Sequence, residues 1–277
     1  DLFYMDLNGI WNDNDLDGIW DVHTGSWQPD IFVGRLLAST LPGNEVELIR
    51  NYFDKNHAFR AGQLYLPGVG LAYIDDDWSG GAPQWAAALA EAVGLVDLHS
   101  QPDSTRASDY ISRLDDGYYA YLLASHSWPQ GHSMKEQGGA VWNSVYNTQI
   151  TQADPHAFFY NLFCCSASRF CESGYISGCY LFTDTWGLDV LGSAKTGSML
   201  YFEDYYSWMQ QGECLGEAFR RWFALHGDEP GSVMWSRSWF YGMTELGDPT
   251  LFMKVGVQVA QVQVVDNGTQ GSAGDGD

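Results

Sequence analysis

Two stretches decide how this chain reads: Tyr118-Tyr119-Ala120-Tyr121-Leu122-Leu123-Ala124-Ser125-His126 and Phe158-Phe159-Tyr160-Asn161-Leu162-Phe163-Cys164-Cys165-Ser166. Each opens with an apolar run of strand length that lacks polar alternation, the pattern of a strand buried on both faces. Each then stops on residues that carry chemistry, an imidazole in one and a pair of thiols in the other. A third run, Val69-Gly70-Leu71-Ala72-Tyr73-Ile74, stops on Asp75-Asp76-Asp77. In an open parallel sheet, ligands bind outside the carboxyl ends of the strands. These three runs therefore predict one rim that gathers a carboxylate, an imidazole and a thiol.

The segments around them support that sheet. A helix is predicted from Asn44 to Asn56, with Val46, Ile49 and Phe53 on one face. A second runs over 83–93, with Pro83 near its start, Trp85, Leu89 and Val93 on one side, and Gly94 as its stop. Leu95–Leu98 and Leu188–Leu191 are further short strands, and Cys214–Leu225 is a helix closed by Gly227. Short apolar strands alternating with helices predict an α/β fold with a mostly parallel central sheet flanked by helices. Residues 1–254 read as one domain. Over 255–277 the chain changes to a β-branched run and then to Gly, Ser and Asp, expected as a terminal strand and a linker to a further domain.

The bulk numbers narrow the function. Net charge is −22, from 35 acidic against 13 basic residues, which disfavours a nucleic-acid partner because phosphates would be repelled. An acidic surface suits calcium, cationic substrates or a saline habitat. No apolar run is long enough to span a bilayer. The opening Asp1-Leu2-Phe3-Tyr4 reads like the interior of a domain, so a mature fragment is expected. Cysteines stand at 164, 165, 171, 179 and 214, an odd number, so they cannot all pair within the chain. There is no Cys-x-x-Cys pair to hold structural zinc.

A thiol becomes a nucleophile when an imidazole takes its proton, and a third polar group orients that imidazole. A backbone N–H at the nucleophile and another just after the histidine would hold an oxyanion. Cys164 and Cys165 both stand at the strand end, and alternation sends them to opposite faces, so only one reaches the cleft. His132 falls in an expected loop after the histidine strand, as a substrate contact or a surface residue; His156 reads as structural.

At these residues the chain resembles the gingipain family of cysteine peptidases, relatives of legumain and clostripain with a caspase-like α/β fold. The resemblance rests on Leu122–His126 and Leu162–Phe170. It is supported in order by 29–36, Asn51-Tyr52, 187–196 and Gly247-Asp248-Pro249-Thr250-Leu251, and it covers residues 1–254. It implies a secreted or cell-surface endopeptidase that acts on proteins or peptides through an acyl-thioester. The nucleophile would be Cys165, the histidine His126, and the orienting acid Asp75, with Asp76 as the second choice. The oxyanion donors would be the N–H groups of Ser127 and Cys165. A P1 pocket would draw on Asp76, Asp77, Asp184, Ser193 and Lys195. Ser125 and Ser127 flank the histidine where the family usually has glycines, and Cys164 replaces a small residue, commonly Ala. A catalytically impaired binding or adhesion module on the same fold is therefore the alternative. A carbohydrate-active enzyme using Asp75 and Asp77 ranks below both, because no strand end carries a Glu-rich cluster.

A separate signal lies at Asp13-Asn14-Asp15-Leu16-Asp17-Gly18-Ile19-Trp20-Asp21. Carboxylates occupy positions 1, 3, 5 and 9 of an EF-hand-like loop, and Gly permits the turn at position 6. The Glu expected at position 12 is replaced by Thr24. The expected cofactor is Ca2+, held by Asp13, Asp15, Asp17, the Ile19 carbonyl and Asp21, with Asp6 and Asp30 as further candidates.

Overall fold

The structure, a computed structural model, describes residues 1–18, 20, 22–26, 28–227 and 234–253, with the side chains of 234–237 left aside. The expected strand and linker over 255–277 lie outside the described residues.

The chain opens with a single helical turn, α1 (Leu2–Met5), and a small antiparallel pair, β1 (Ile10–Asn12) and β2 (Val22–Thr24). Helix α2 (Glu45–Arg60) follows. The Asn44 side chain accepts from the N–H groups of Val46 and Glu47 and so caps its first turn. Strand β3 (Val69–Ile74) leads through a 3-10 turn, Asp76–Gly81, into α3 (Ala82–Val93), with Pro83 in its first turn and Gly94 ending it at φ 88°. Then come β4 (Leu95–His99), α4 (Ala107–Ser112) and β5 (Ala120–Ala124). A three-stranded antiparallel sheet follows at once: β6 (His126–Trp128), β7 (Gly131–Glu136) and β8 (Val141–Tyr146). The remainder is α5 (Asn147–Ala153), β9 (Phe159–Phe163), α6 (Ile176–Leu181), β10 (Asp189–Ser193), α7 (Phe202–Gln210), α8 (Leu215–His226), α9 (Met234–Gly242) and β11 (Met243–Gly247).

The central sheet has the order β11-β10-β9-β5-β3-β4, and every pairing is parallel except that of edge strand β11 with β10. The expected α/β fold with a mostly parallel sheet is what the structure shows. Each central strand is buried on both faces, because its alternate residues feed two cores. Ala72, Ile74, Leu122, Phe159 and Phe163 belong to the core under α3, α7 and α8; Leu71, Tyr73, Leu123, Tyr160 and Cys164 belong to the other. That double burial is why these runs show no polar alternation.

Registers set the rim. Ile74 pairs with Ala124, and Ala124 pairs with Phe163. The ladder continues one step further: Asp75 N donates to Ala124 O at 2.9 Å and Ser125 N to Phe163 O at 3.4 Å. Asp75, Ser125 and Cys164 therefore leave the sheet at one level.

Candidate active site

Cys164 and Cys165 have opposite environments, as strand phase requires. Cys164 is buried; its Sγ lies 3.6 Å from Leu123 O and 3.4 Å from Ser125 Oγ. Burial pushes its thiol up to about 12. Cys165 is half-buried, and its Sγ accepts the Gly197 N–H at 3.3 Å. The turn just beyond is tight: Ser166 adopts φ 58°. Its N–H reaches Lys195 O at 2.8 Å, and Ser168 N–H reaches Ser193 O at 3.0 Å. The segment after β10 thus braces the thiol loop. Among the described residues the Cys165 N–H has no partner within the chain, which leaves a backbone donor available beside the thiol.

His126 opens β6, and its Nε2 lies 2.6 Å from Asp77 Oδ2. Lys135 of β7 bonds the other Asp77 oxygen and lies over the Trp142 ring at 5.2 Å. Hydrogen bonds from Lys135 and then His126 hold the Asp77 carboxyl below its usual range. A carboxylate on Nε2 favours the tautomer with hydrogen there, leaving Nδ1 as the acceptor. Trp78 and Trp142 flank the ring, with centroids at 4.8 and 5.1 Å. The Ser127 hydroxyl donates to Cys165 O, tying the segment after His126 to the segment that carries the thiol.

The third group differs from the expectation. Asp75, first choice to face His126, is fully buried and instead accepts the Lys135 N–H at 3.1 Å and the Thr105 hydroxyl at 3.3 Å. Burial raises its carboxyl. The reason lies in the backbone: the 3-10 turn starting at Asp76 ends the strand and carries Asp77, two residues on, out to the rim. Asp76, the second choice, is engaged with the 103–105 segment through Asp103 N at 3.3 Å and Thr105 Oγ1 at 3.4 Å.

The other pocket candidates separate. Ser193 is buried, and its hydroxyl donates to Lys195 O at 3.0 Å, so it shapes the wall through the backbone. The Lys195 side chain is exposed. Asp184 precedes β10 and so lies at the opposite end of the strands, where its carbonyl accepts from Asn51. His132 is neither a substrate contact nor a surface loop residue. It lies in β7, 0% exposed, between the rings of Tyr110 and Tyr180, and burial pushes it down to about 3. His156 packs on Trp186 and stands 3.9 Å from Asp115, away from the rim.

In the acidic loop, one carboxylate oxygen each from Asp13, Asp15 and Asp17 falls within 4.8 Å of the others. Asp13 accepts the N–H groups of Asp17 at 3.2 Å and Gly18 at 2.8 Å, and Gly18 takes φ 87°. The donor set is all oxygen, which fits Ca2+. Ile19 and Asp21 lie outside the described residues. Asp6 is occupied elsewhere, by His23 Nε2 at 2.7 Å and Gly9 N at 2.8 Å, and Asp30 by Leu7 N at 2.9 Å.

Sequence reasoning missed Lys135, Trp142 and Gly197. A signal existed for the first two, since 131–136 and 141–146 flank Gln137-Gly138-Gly139-Ala140, a hairpin turn. None existed for Gly197, whose place beside Cys165 is purely tertiary.

This arrangement sits on a gingipain-like, caspase-type α/β fold. No protein-family model and no curated protein matches the chain. Solved structures do. The crystal structure of the Arg-specific cysteine proteinase gingipain R (RgpB) matches with a TM-score of 0.57 at 11% identity, over 83% of this chain and 57% of that one. The complex of Porphyromonas gingivalis RgpB pro- and mature domains matches with a TM-score of 0.58 at 11% identity, over 83% of this chain and 58% of the other. The chain thus spans less than two thirds of the length of these neighbours. Among the described residues, no helix is long and apolar enough to cross a membrane.

Proposed function

We propose that the protein is a secreted or cell-surface cysteine endopeptidase acting on proteins or peptides, with Cys165 as nucleophile and His126 as its base. One observation carries this reading. The half-buried Cys165 and the Asp77-held His126 leave adjacent parallel strands at one level, with a hydrogen bond between their segments. His126 Nδ1 takes the thiol proton, and the thiolate attacks the scissile carbonyl carbon. The oxyanion that forms is held by the Cys165 N–H together with that of Ser127. Imidazolium then protonates the departing amine, leaving an acyl-thioester on Cys165. Water, deprotonated by His126, hydrolyses that ester and restores the thiol. Asp77 holds the ring, and Lys135 fixes Asp77.

Calcium belongs to the same proposal: Asp13, Asp15 and Asp17, with Ile19 and Asp21, would hold Ca2+ and tie down the acidic turn. The charge chemistry supports it, because three close carboxylates repel without a cation.

An acyloxymethyl-ketone probe on a peptide library, with and without calcium, tests the reading. Turnover and a covalent adduct at Cys165, both absent in Cys165→Ala, are expected. A folded wild-type chain that cleaves nothing and leaves Cys165 unmodified would instead favour the binding-module alternative.

A further inference from the structure

His132 is a titratable side chain that the catalytic machinery leaves unused. It sits on β7, 0% exposed, and among the described residues neither ring nitrogen has a hydrogen-bond partner. The imidazole lies between the rings of Tyr110 on α4 and Tyr180 on α6, with centroids at 6.4 and 5.9 Å. Those two hydroxyls bond each other at 2.8 Å rather than the histidine. A neutral imidazole carries one N–H, and burying it unpaired costs free energy that a phenyl ring of similar size would not. Protonation adds a second unpaired N–H and a charge.

No counter-charge meets that charge among the described residues. On α4, Asp109 is taken by Arg113 and by the Tyr73 hydroxyl, and α5 has no titratable side chain. Helix α6 offers only Tyr180 and Cys179, and β9 only Tyr160 and Cys164; burial pushes all four up, as it does Tyr110, so they stay neutral. Within the small sheet His132 stands opposite Ser127 of β6 and Val145 of β8. His126 and Lys135 are one residue out of phase, on the other face, and bind Asp77 there. Asp75 is held by the Lys135 N–H and by Thr105.

The sheet β6–β8 shares no ladder with the central sheet. Few backbone bonds tie it to the body, among them Asn147 N to Gln130 O at 2.9 Å and Ile176 N to Pro129 O at 2.7 Å. Its seat is the buried face, where His132, Met134 and Val145 are each 0% exposed. We propose that His132 is an acid-sensitive latch: neutral, it seats β6–β8 on the body; protonated, it must leave the core, and the sheet that carries His126 opens with it. The latch rests on packing and not on the peptidase reading, so inactivity toward peptides would leave it standing.

The direction follows from the burial. The imidazole is lowered from 6.5 to about 3, so the closed sheet is fully stable above pH 6.5 and loses about tenfold in its closing equilibrium for each pH unit below. The Asp1 amine, lowered by burial to about 5, titrates in an overlapping range beside Arg35 and Thr244. The measurement therefore has to be local to β6–β8.

Hydrogen exchange of the full chain, read by mass spectrometry and corrected for intrinsic rates, provides it. The opening equilibrium of the amides over 131–146 should rise about 25-fold from pH 7 to pH 5, while β5 and β9 keep their protection. In His132→Phe that local rise should vanish. Should the variant fail to fold, the wild-type pattern still decides. Equal protection of 131–146 at the two pH values overturns the proposal. A loss spread evenly over the central strands does so as well, and so does an undiminished local rise in His132→Phe.

Discussion

Cys164 and Cys165 are neighbours in sequence with different fates. Burial raises the Cys164 thiol to about 12, so at pH 8 almost none of it is thiolate. Iodoacetamide at pH 8 should therefore label Cys165 and spare Cys164, as read by peptide mass mapping. Cys165→Ala and His126→Ala should each lower kcat/KM by about 10³-fold or more with melting temperature unchanged, whereas Cys164→Ala should retain activity within about tenfold. Equal loss at both cysteines would sink the assignment. The two aspartates divide in the same way. Asp77→Asn should lower kcat by about 10- to 100-fold in a folded protein, because the ring loses its orienting charge. Asp75→Asn should act first on stability, through the bonds to Lys135 N and Thr105. Asp77 has a depressed carboxyl, so its hold on His126 is complete above the ordinary carboxylate range and is lost as pH falls through the lowered value. Lys135→Met removes the largest cause of that depression, and should move the acid loss of activity to higher pH.

At the level of elements, the small sheet β6–β8 turns a strand end into an enclosed rim. It carries His126, Lys135 and Trp142, and it buries His132. Sequence reading placed His132 in a loop and drew no strands here, since His-Ser-Trp and Lys-Glu-Gln show no hydrophobic run. The central strands were legible because a doubly buried strand has nowhere to place polar residues. The segment after β10 supplies the other wall. Gly197 takes φ 119°, and a Cβ there would come within 2.3 Å of the Trp239 ring. Gly197→Ala should therefore displace the N–H that meets Cys165 Sγ and cut turnover more than tenfold in a peptide assay. As a contrast, Asn44→Ala removes only the cap of α2. It should cost about 1 kcal/mol by denaturant unfolding and leave activity alone.

Over the whole molecule, the net charge of −22 works against compactness, and the proposed calcium at the acidic loop would offset part of it. EDTA should lower the melting temperature of the wild-type chain, and added salt should recover part of the loss by screening. Asp13→Asn with Asp15→Asn should remove the share of the EDTA effect due to the loop. What sequence alone determined is the sheet and its chemical rim. Apolar runs of strand length end in Asp, His and Cys, and a parallel sheet must present those ends together. It also required that only one of the adjacent thiols face the cleft, since strand alternation is local geometry, while the resemblance pointed to Cys165 as that one. Tertiary structure decided which aspartate faces the histidine, because a 3-10 turn rather than residue type brings Asp77 to the rim and leaves Asp75 inside. It likewise placed Lys135, Gly197 and the buried His132. These placements depend on contacts between segments far apart in the chain, which no local pattern records.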